Sequence, residues 1–363
     1  YPFENKELFE KNFPADFIAE GVDQTRGWFY SLLVLSTALF GKSPYQRVIV
    51  NGTVIAEDGQ KMSKRLQNYP DPMELVGRYG SDALRYYLLS SSIVRGEDLR
   101  FSEKGVDEVH KKIITRLFNV LSFYLLYQEM APKEDTESSH ALDRWILARL
   151  SETARAVTEG FDAYEIDRAT RPITDFVDDL STWYVRRSRD RVKGADEKDR
   201  TGALGTLRMV LRDLSKLIAP IMPFLAEEIY QKVKSDHRES VHLEAWLKEE
   251  KTDAEILKNM AEVRRIVSLS LELRAKANIK IRQPLLSVKI RNLRSEIRNN
   301  EEMIQIIRDE VNIKTVVWDD TLTEEVVLDT TMTEDLREEG QMRELVRELQ
   351  TLRKNYNFSP HDR

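Results

Sequence analysis

At about residue 103 the spacing of the apolar side chains changes, and that change limits what the chain can fold into. From there to residue 235 they recur every three or four positions, over about 103–130, 139–160, 165–193, 198–218 and 222–235. A 3.6-residue period draws an apolar stripe along one face of each segment, and helices bury such stripes against one another. Pro132, Gly160, Gly194 and the stretch APIMP at 219–223 interrupt the pattern. The expectation is a helix bundle with short turns.

Before residue 103 the pattern is mixed. DFIAEG reads as a short buried strand that ends in a glycine turn. DQTRGWFYSLLVLSTALFG reads as a helix capped by Asp23 and stopped by Gly41. Trp28, Leu32, Leu35 and Leu39 share one face; Phe29, Leu33 and Phe40 cover another. A helix apolar on so many sides is expected to lie buried between layers. RVIVNGTVI is β-branched and reads as a second strand. Strand, helix, strand implies a parallel pair with a crossover helix, hence an α/β sheet. PDPMELVGRYGSDALRYYLLS gives two helices, the first entered at Pro70 and Pro72, the second capped by Ser81 or Asp82. Beyond the bundle, residues 251–278 read as one long helix. The strands LSVKI and IKTVVW then alternate with helices up to about residue 356. The expected fold class is mostly α: an α/β portion over 1–100, a helical domain over 101–245, and a helix plus a small α+β module over 246–363.

Composition narrows the function. The 363 residues carry a formal charge of −6, so any contact with a polyanion must be a local patch. The chain has no cysteine, which excludes disulfides, a zinc ribbon and a thiol nucleophile. His110, His140, His237, His242 and His361 lack metal-ligand spacing, so no metal site is expected. No apolar run reaches the roughly 18–20 residues of a membrane span, and no secretory signal opens the chain. The cytoplasm is the expected compartment. Because Tyr1 is not an initiator methionine, the chain is expected to begin inside something larger.

Three stretches can carry chemistry. In GQKMSKRLQN, Gly59 gives the backbone freedom, Lys61 and Lys64 offer ammonium groups, and Ser63 offers a hydroxyl. Placed after a strand of an α/β sheet, such a loop can close over a triphosphate and stabilise the charge that builds up there. Read alone, it can equally be a solvated basic turn. In AEGVDQTRGWF, Glu20 and Gly21 stand at the C-terminal end of the first strand, where open α/β sheets bind ligands. Glu20 can accept from a ribose hydroxyl or an ammonium group. Asp23 and Gln24 point the same way, Trp28 can wall an apolar pocket, and Arg26 can be a buried ion-pair partner. The plainer alternative makes Asp23 a cap and Trp28 core. In WYVRRSRDRVK, Trp183 and Tyr184 stand beside Arg186, Arg187, Arg189, Arg191 and Lys193. Cations beside aromatic rings suit RNA phosphates and unpaired bases. The alternative is a solvated arginine face paired with Asp178 and Asp179.

Taken together, DQTRGWFYSLL, NGTVIAEDGQKMSKRLQN, YGSDALRYYLLSS, LSTWYVRR and LIAPIMPFLAEEIYQ resemble the C-terminal half of a class I aminoacyl-tRNA synthetase. GWF after DQ resembles the isoleucine branch more than the valine or leucine branches, and RAKANIKIRQPL resembles the same branch beyond its anticodon bundle. The resemblance implies a partial Rossmann-like catalytic portion, an anticodon-binding bundle and ATP-dependent joining of isoleucine to tRNA(Ile), with Mg2+ arriving with ATP and a monomer expected. It implies that Lys61 and Lys64 hold ATP phosphates, and that Ser63 helps close the loop, with Met62 among the nucleotide contacts. Glu20, Gly21, Asp23 and Gln24 would line the adenylate site, with Trp28 against the isoleucine side chain and Asn51 and Gly52 near the adenosine. Trp183, Arg186, Arg187 and Arg189 would contact tRNA. The sequence departs from the family in two ways: Arg65 replaces the usual serine of the loop, and no histidine is followed by x-Gly-His. That first signature and the editing domain would lie upstream of Tyr1, and the chain alone is expected to be inactive yet able to bind tRNA; the alternatives are a valyl- or leucyl-type enzyme of the same class and a non-catalytic RNA-binding helical module.

Overall fold

The computed structural model describes residues 3–63, 65, 68–132, 134–234, 238–248, 252–291 and 294–356. Lys64, His237 and His361 lie outside the described residues. The chain forms two compact units, Tyr1–Ser138 with Arg149–Thr252, and Ser139–Ala148 with Asp253–Arg363. The segments 1–100 and 101–245, expected as separate domains, cluster together in the first, except for Ser139–Ala148, which belongs to the second.

That unit opens with α1 (Lys6–Asn12), β1 (Ala15–Gly21), a 3-10 turn (Val22–Arg26), α2 (Trp28–Phe40) and β2 (Tyr45–Asn51). The two strands pair in parallel with α2 as crossover; Ala15 stands opposite Tyr45 and Gly21 opposite Asn51. The second expected strand divides. β3 (Val54–Ile55) follows Gly52 and pairs with β4 (Leu99–Arg100) instead. Gly52 causes the division: its N–H donates to the Ile93 carbonyl at 2.8 Å, and a Cβ there would stand 1.9 Å from the Glu97 oxygen.

Three local expectations are corrected. The helix over 23–40 breaks at Gly27 (φ −136°, ψ −112°), and Gln24, not Asp23, caps the helical part by accepting from Trp28 N at 3.0 Å. β1 and α2 are not buried: only Ile18 in β1, and Phe29 and Ser36 in α2, are. Among the described residues nothing covers the face holding Trp28, Leu35 and Leu39, and Leu39 is 64% exposed. Arg26 is exposed, so it is no buried ion-pair partner.

α3 (Pro72–Tyr79) follows its proline and is capped by Asp71, which accepts from Met73 N at 2.8 Å. α4 (Ser81–Leu89) starts after Gly80 at φ 82° with no side-chain cap, so neither Ser81 nor Asp82 serves it. The helical part comprises α5 (Glu103–Val109), a π-helical segment (His110–Ile114), α6 (Thr115–Tyr127), α7 (Ala141–Asp162), α8 (Ile166–Asp178), a second π-helical segment (Asp179–Val185), α9 (Arg186–Lys193), α10 (Glu197–Ile218) and α11 (Pro223–Val233). These bounds lie within a few residues of the periodic segments, as expected of an amphipathic signal. Leu117, Ile173, Phe176, Leu204, Leu211 and Ile229 are wholly inaccessible to solvent. Each such side chain contributes about 1.5–3 kcal/mol of transfer free energy. Gly160 brings α7 against α8, since a Cβ there would stand 2.7 Å from Ala169 N.

The second unit holds α12 (Ala254–Lys276), β5 (Leu285–Ile290), α13 (Ser295–Arg298), α14 (Glu301–Val311), β6 (Ile313–Trp318), β7 (Val326–Leu328) and α15 (Glu334–Asn355). β5 is central, parallel to β6 and antiparallel to β7. The buried Arg274 donates to the Lys280 carbonyl at 2.8 Å, pinning the turn before β5. The third strand, β7, escaped the sequence reading because three residues are too few to show alternation.

Candidate active site and nucleic-acid interface

The parallel pair brings the first group of predicted residues to one sheet end. Gly21 closes β1 opposite Asn51, which closes β2, and Glu20 stands opposite Val50. Glu20 is exposed; its Oε1 accepts the Gly21 amide at 3.2 Å. Asp23 accepts from Gln24 Nε2 at 2.8 Å, and Gln24 in turn holds the first amide of α2. These bonds fix a polar turn just beyond the C-terminal end of the strand, where open α/β sheets place ligands. Trp28 follows it, half exposed, with its ring centroid 6.3 Å from that of Phe29.

The Lys61 loop is a reversal on β3. Ala56 N donates to Gln60 O and Gly59 N to Ala56 O, both at 2.8 Å, with Gly59 at φ 83°. Only glycine adopts that backbone conformation without strain. Lys61 then pairs antiparallel with Ile55. Its side chain is exposed, while Met62 and Ser63 are half-buried. Asn68 holds the far side, accepting from Ser63 N at 2.9 Å and donating to Lys61 O at 3.2 Å. Ser63 Oγ accepts from Arg65 N at 3.2 Å. Arg65 is exposed.

Chain continuity limits the distance between the two groups. Asn51 neighbours Gly21, Ile55 follows four residues on, and Lys61 neighbours Ile55. Strand spacing and extended-chain reach keep Lys61 within roughly 24 Å of Gly21, backbone to backbone. A hollow of about 380 Å³ beside the loop is lined by Ala56, Glu57, Met62, Asn68, Tyr69, Pro70, Phe101 and Glu103. The Glu20–Trp28 turn does not line it. The hydrogen bond from Tyr79 Oη to Glu103, 2.9 Å, raises the pKa of that phenol. The sequence reading missed Asn68 as the residue that ties the loop. Its signal was a side chain with both donor and acceptor at the end of a glycine-opened basic run.

The third group lies on the run from α8 through the π-helical segment into α9. Tyr184 is buried and donates to Ala203 O at 3.0 Å, so it is core. Trp183 is half-buried, with the Arg186 guanidinium 5.9 Å from its ring centroid. Arg186 Nε donates to Thr182 O at 2.7 Å. Arg189 and Lys193 are exposed and Arg187 is half-buried. Trp183, Arg186, Arg189 and Lys193 follow helical spacing and form one face. Arg191 is turned to Asp199 at 2.7 Å. Of the acids suggested as neutralising partners, Asp178 pairs with Arg116 at 2.5 Å and Asp179 with Arg149 at 2.9 Å. Among the described residues no group of three or more His, Asp or Glu is placed to hold a metal ion, and no helix is long and apolar enough to cross a membrane.

Known proteins match both regions. Residues 1–102 match the family of tRNA synthetases class I (I, L, M and V), and residues 143–290 match the anticodon-binding domain of tRNA ligase. An isoleucine–tRNA ligase of Chlamydia abortus (strain DSM 27085 / S26/3) is 45% identical over 327 residues, covering 87% of this chain and 31% of the relative. One from Protochlamydia amoebophila (strain UWE25) is 44% identical over 329 residues with the same coverage. The chain therefore spans about a third of the length of these relatives. Among solved structures, methionyl-tRNA synthetase of Mycobacterium tuberculosis in complex with methionyl-adenylate shares 26% identity at TM-score 0.52, covering 63% of this chain and 46% of that one. The LeuRS–tRNA–LeuAMS ternary complex of Agrobacterium radiobacter K84 shares 21% identity at TM-score 0.52, covering 69% and 31%. At that identity the likeness is one of fold.

Proposed function

Residues 1–102 match the class I tRNA synthetases and residues 143–290 the anticodon-binding domain of tRNA ligase, and from that premise we propose that this chain is the phosphate-gripping and tRNA-binding portion of an isoleucine–tRNA ligase. The reaction joins isoleucine to ATP as an adenylate, releasing pyrophosphate, and then passes the isoleucyl group to tRNA(Ile). The observation that carries this reading is the run from Gly21 through Asn51 to Lys61. A ligand-facing strand end leads within ten residues to a basic loop pinned at Ile55 and Asn68.

In this reading Glu20, Gly21, Asp23 and Gln24 line the adenylate, and Trp28 packs against the isoleucine side chain. Asn51 and Gly52 flank the adenosine, and Met62 sets the loop against the hollow beside it. Lys61 and Lys64 stabilise the negative charge that grows on the departing pyrophosphate, and Ser63 stabilises the closed loop. Mg2+ enters bound to ATP. The Trp183, Arg186, Arg187 and Arg189 face holds tRNA by charge and stacking. The protein acts as a monomer in the cytoplasm.

The sequence has no His-x-Gly-His. Phosphate positioning acts as a unit, so this chain alone should give no isoleucine-dependent ATP–pyrophosphate exchange. The full-length protein should give it, and Lys64→Ala should lower it by about a hundredfold or more. Exchange at a normal rate by the chain alone, or exchange that prefers valine or leucine, would refute the assignment.

A further inference from the structure

Helix α11 begins at Pro223 behind Met222, which has no side-chain oxygen with which to cap it. Pro223 has no N–H, so the amides of Phe224 and Leu225 are the first that need a partner. Asp82 of α4, 143 positions earlier, provides one: its Oδ2 accepts from Leu225 N at 2.7 Å, and the Phe224 amide also favours its ionised form. One turn along α4, Arg85 donates through Nε to Ile221 O at 2.9 Å and through Nη2 to Pro220 O at 3.1 Å. Tyr86 adds a donation to Thr170 O of α8 at 2.7 Å. A nine-residue helix thus grips both sides of the α10–α11 turn. It follows α3, which starts four residues after Asn68.

We propose that Asp82 and Arg85 are positioning residues that fix the helical bundle against the loop-bearing α/β portion, so that an RNA held on the Trp183–Lys193 face meets the Lys61 loop in one orientation. Its catalytic part rests on the function proposed above; the grip itself does not. Asp82 and Arg85 touch neither nucleotide nor amino acid in this scheme. Their loss should therefore spare adenylate formation and damage transfer to tRNA. Asp82 is buried, and burial raises its pKa while the two amides and Arg85 oppose the rise. An asparagine there keeps an oxygen for Leu225 N.

The test uses Asp82→Ala, Arg85→Ala and Asp82→Asn in the full-length protein. The alanine variants should keep ATP–pyrophosphate exchange within about twofold, bind tRNA within about threefold, and lose about tenfold or more in kcat for tRNA charging. Asp82→Asn should restore charging to within about threefold of wild type. Unchanged charging in both alanine variants would overturn the proposal, as would exchange and charging falling in the same proportion. A second measurement holds whatever the catalysis. In this 363-residue chain, which has no cysteine, Gln46→Cys and Lys198→Cys place two spin labels, on β2 and α10. Their distance distribution should broaden or shift in the alanine variants and stay narrow in Asp82→Asn. An unchanged distribution in Asp82→Ala and Arg85→Ala removes the grip even if no synthetase activity is found.

Discussion

Asn68 closes the basic loop on Ser63: its Oδ1 accepts the Ser63 amide at 2.9 Å while its Nδ2 donates to the Lys61 carbonyl at 3.2 Å. One side chain therefore bonds to both Lys61 and Ser63, and the side chains of Lys61 and Arg65 are exposed. In the proposed reading the loop closes over phosphates, and a loop whose ends are already fixed loses less entropy on closing.

Removing that tie should open the loop locally. Two hydrogen bonds, each worth about 0.5–1.5 kcal/mol, favour the closed backbone. Asn68→Ala should speed tryptic cleavage after Lys61 and Arg65 by about three- to tenfold, since cleavage follows the open population. Asn68→Asp keeps the acceptor for Ser63 and should fall between. Digestion of Asn68→Ala at the wild-type rate would show that the tie does not hold the loop.

Periodicity located the helices because it reports burial directly: the segments 198–218 and 222–235 became Glu197–Ile218 and Pro223–Val233. The parallel pair was legible for a similar reason, since β-branched runs flanking a helix leave few other topologies. What failed was inference from local apolarity. α2 is apolar on several sides yet exposed, with only Phe29 and Ser36 buried, because apolarity along a helix does not by itself say what packs on it. Asp23 was misjudged as a cap because Gly27 moves the helix start beyond its reach, to Gln24. Asp82 was misjudged because its partner lies 143 positions away, a pairing that no local pattern encodes. In the candidate site, a basic loop following a strand was legible in GQKMSKRLQN, whereas the tie through Asn68 needed the folded loop.

The arginine face separates charge from stacking. Arg189→Ala and Lys193→Ala should each lower the slope of log affinity for tRNA against log salt by roughly 0.7–0.9 for every phosphate no longer neutralised. Trp183→Ala should weaken binding by about 1–3 kcal/mol for each stacked base and leave that slope unchanged. Arg191→Ala should act mainly on stability, because Asp199 already holds that guanidinium. Filter binding from low to moderate salt checks all four; slopes indistinguishable from wild type would remove this face from the interface.

Asp135 makes a pH-dependent contribution to stability. Burial by itself would raise its pKa, but Arg212 and Arg208, at 2.8 and 2.9 Å, outweigh burial and hold it below the usual carboxylate value. A depressed folded pKa means that the ionised form favours folding. The contribution is complete above the unfolded pKa of about 3.9 and is lost as pH falls through the lower folded value. Asp135→Asn should therefore melt below wild type at pH 7, with the gap closing under about pH 4. Melting curves from pH 7 to pH 2.5 check this, and a constant gap would contradict it. Asp135 is half exposed, so screening by solvent keeps the gap modest.

Two glycines should respond to the same substitution with opposite signs. At Gly52 a Cβ would stand 1.9 Å from the Glu97 oxygen and 2.4 Å from its carbonyl carbon. Both belong to the backbone that leads into β4, so neither can swing away. Overpacking of this kind costs about 1–3 kcal/mol and sometimes more. Gly77 sits inside α3 with nothing within 4 Å of the position its Cβ would take. Alanine there removes the conformational freedom of glycine from the unfolded chain and gains about 0.5–1 kcal/mol. For a unit of this size each kcal/mol moves Tm by about 2–4 °C. Gly52→Ala should therefore lower the melting point of the first unit by roughly 2–12 °C, and Gly77→Ala should raise it by roughly 1–4 °C. Calorimetry on both variants decides the matter, and a Gly52→Ala protein as stable as wild type would mean that the β2–β3 corner does not pack against Glu97.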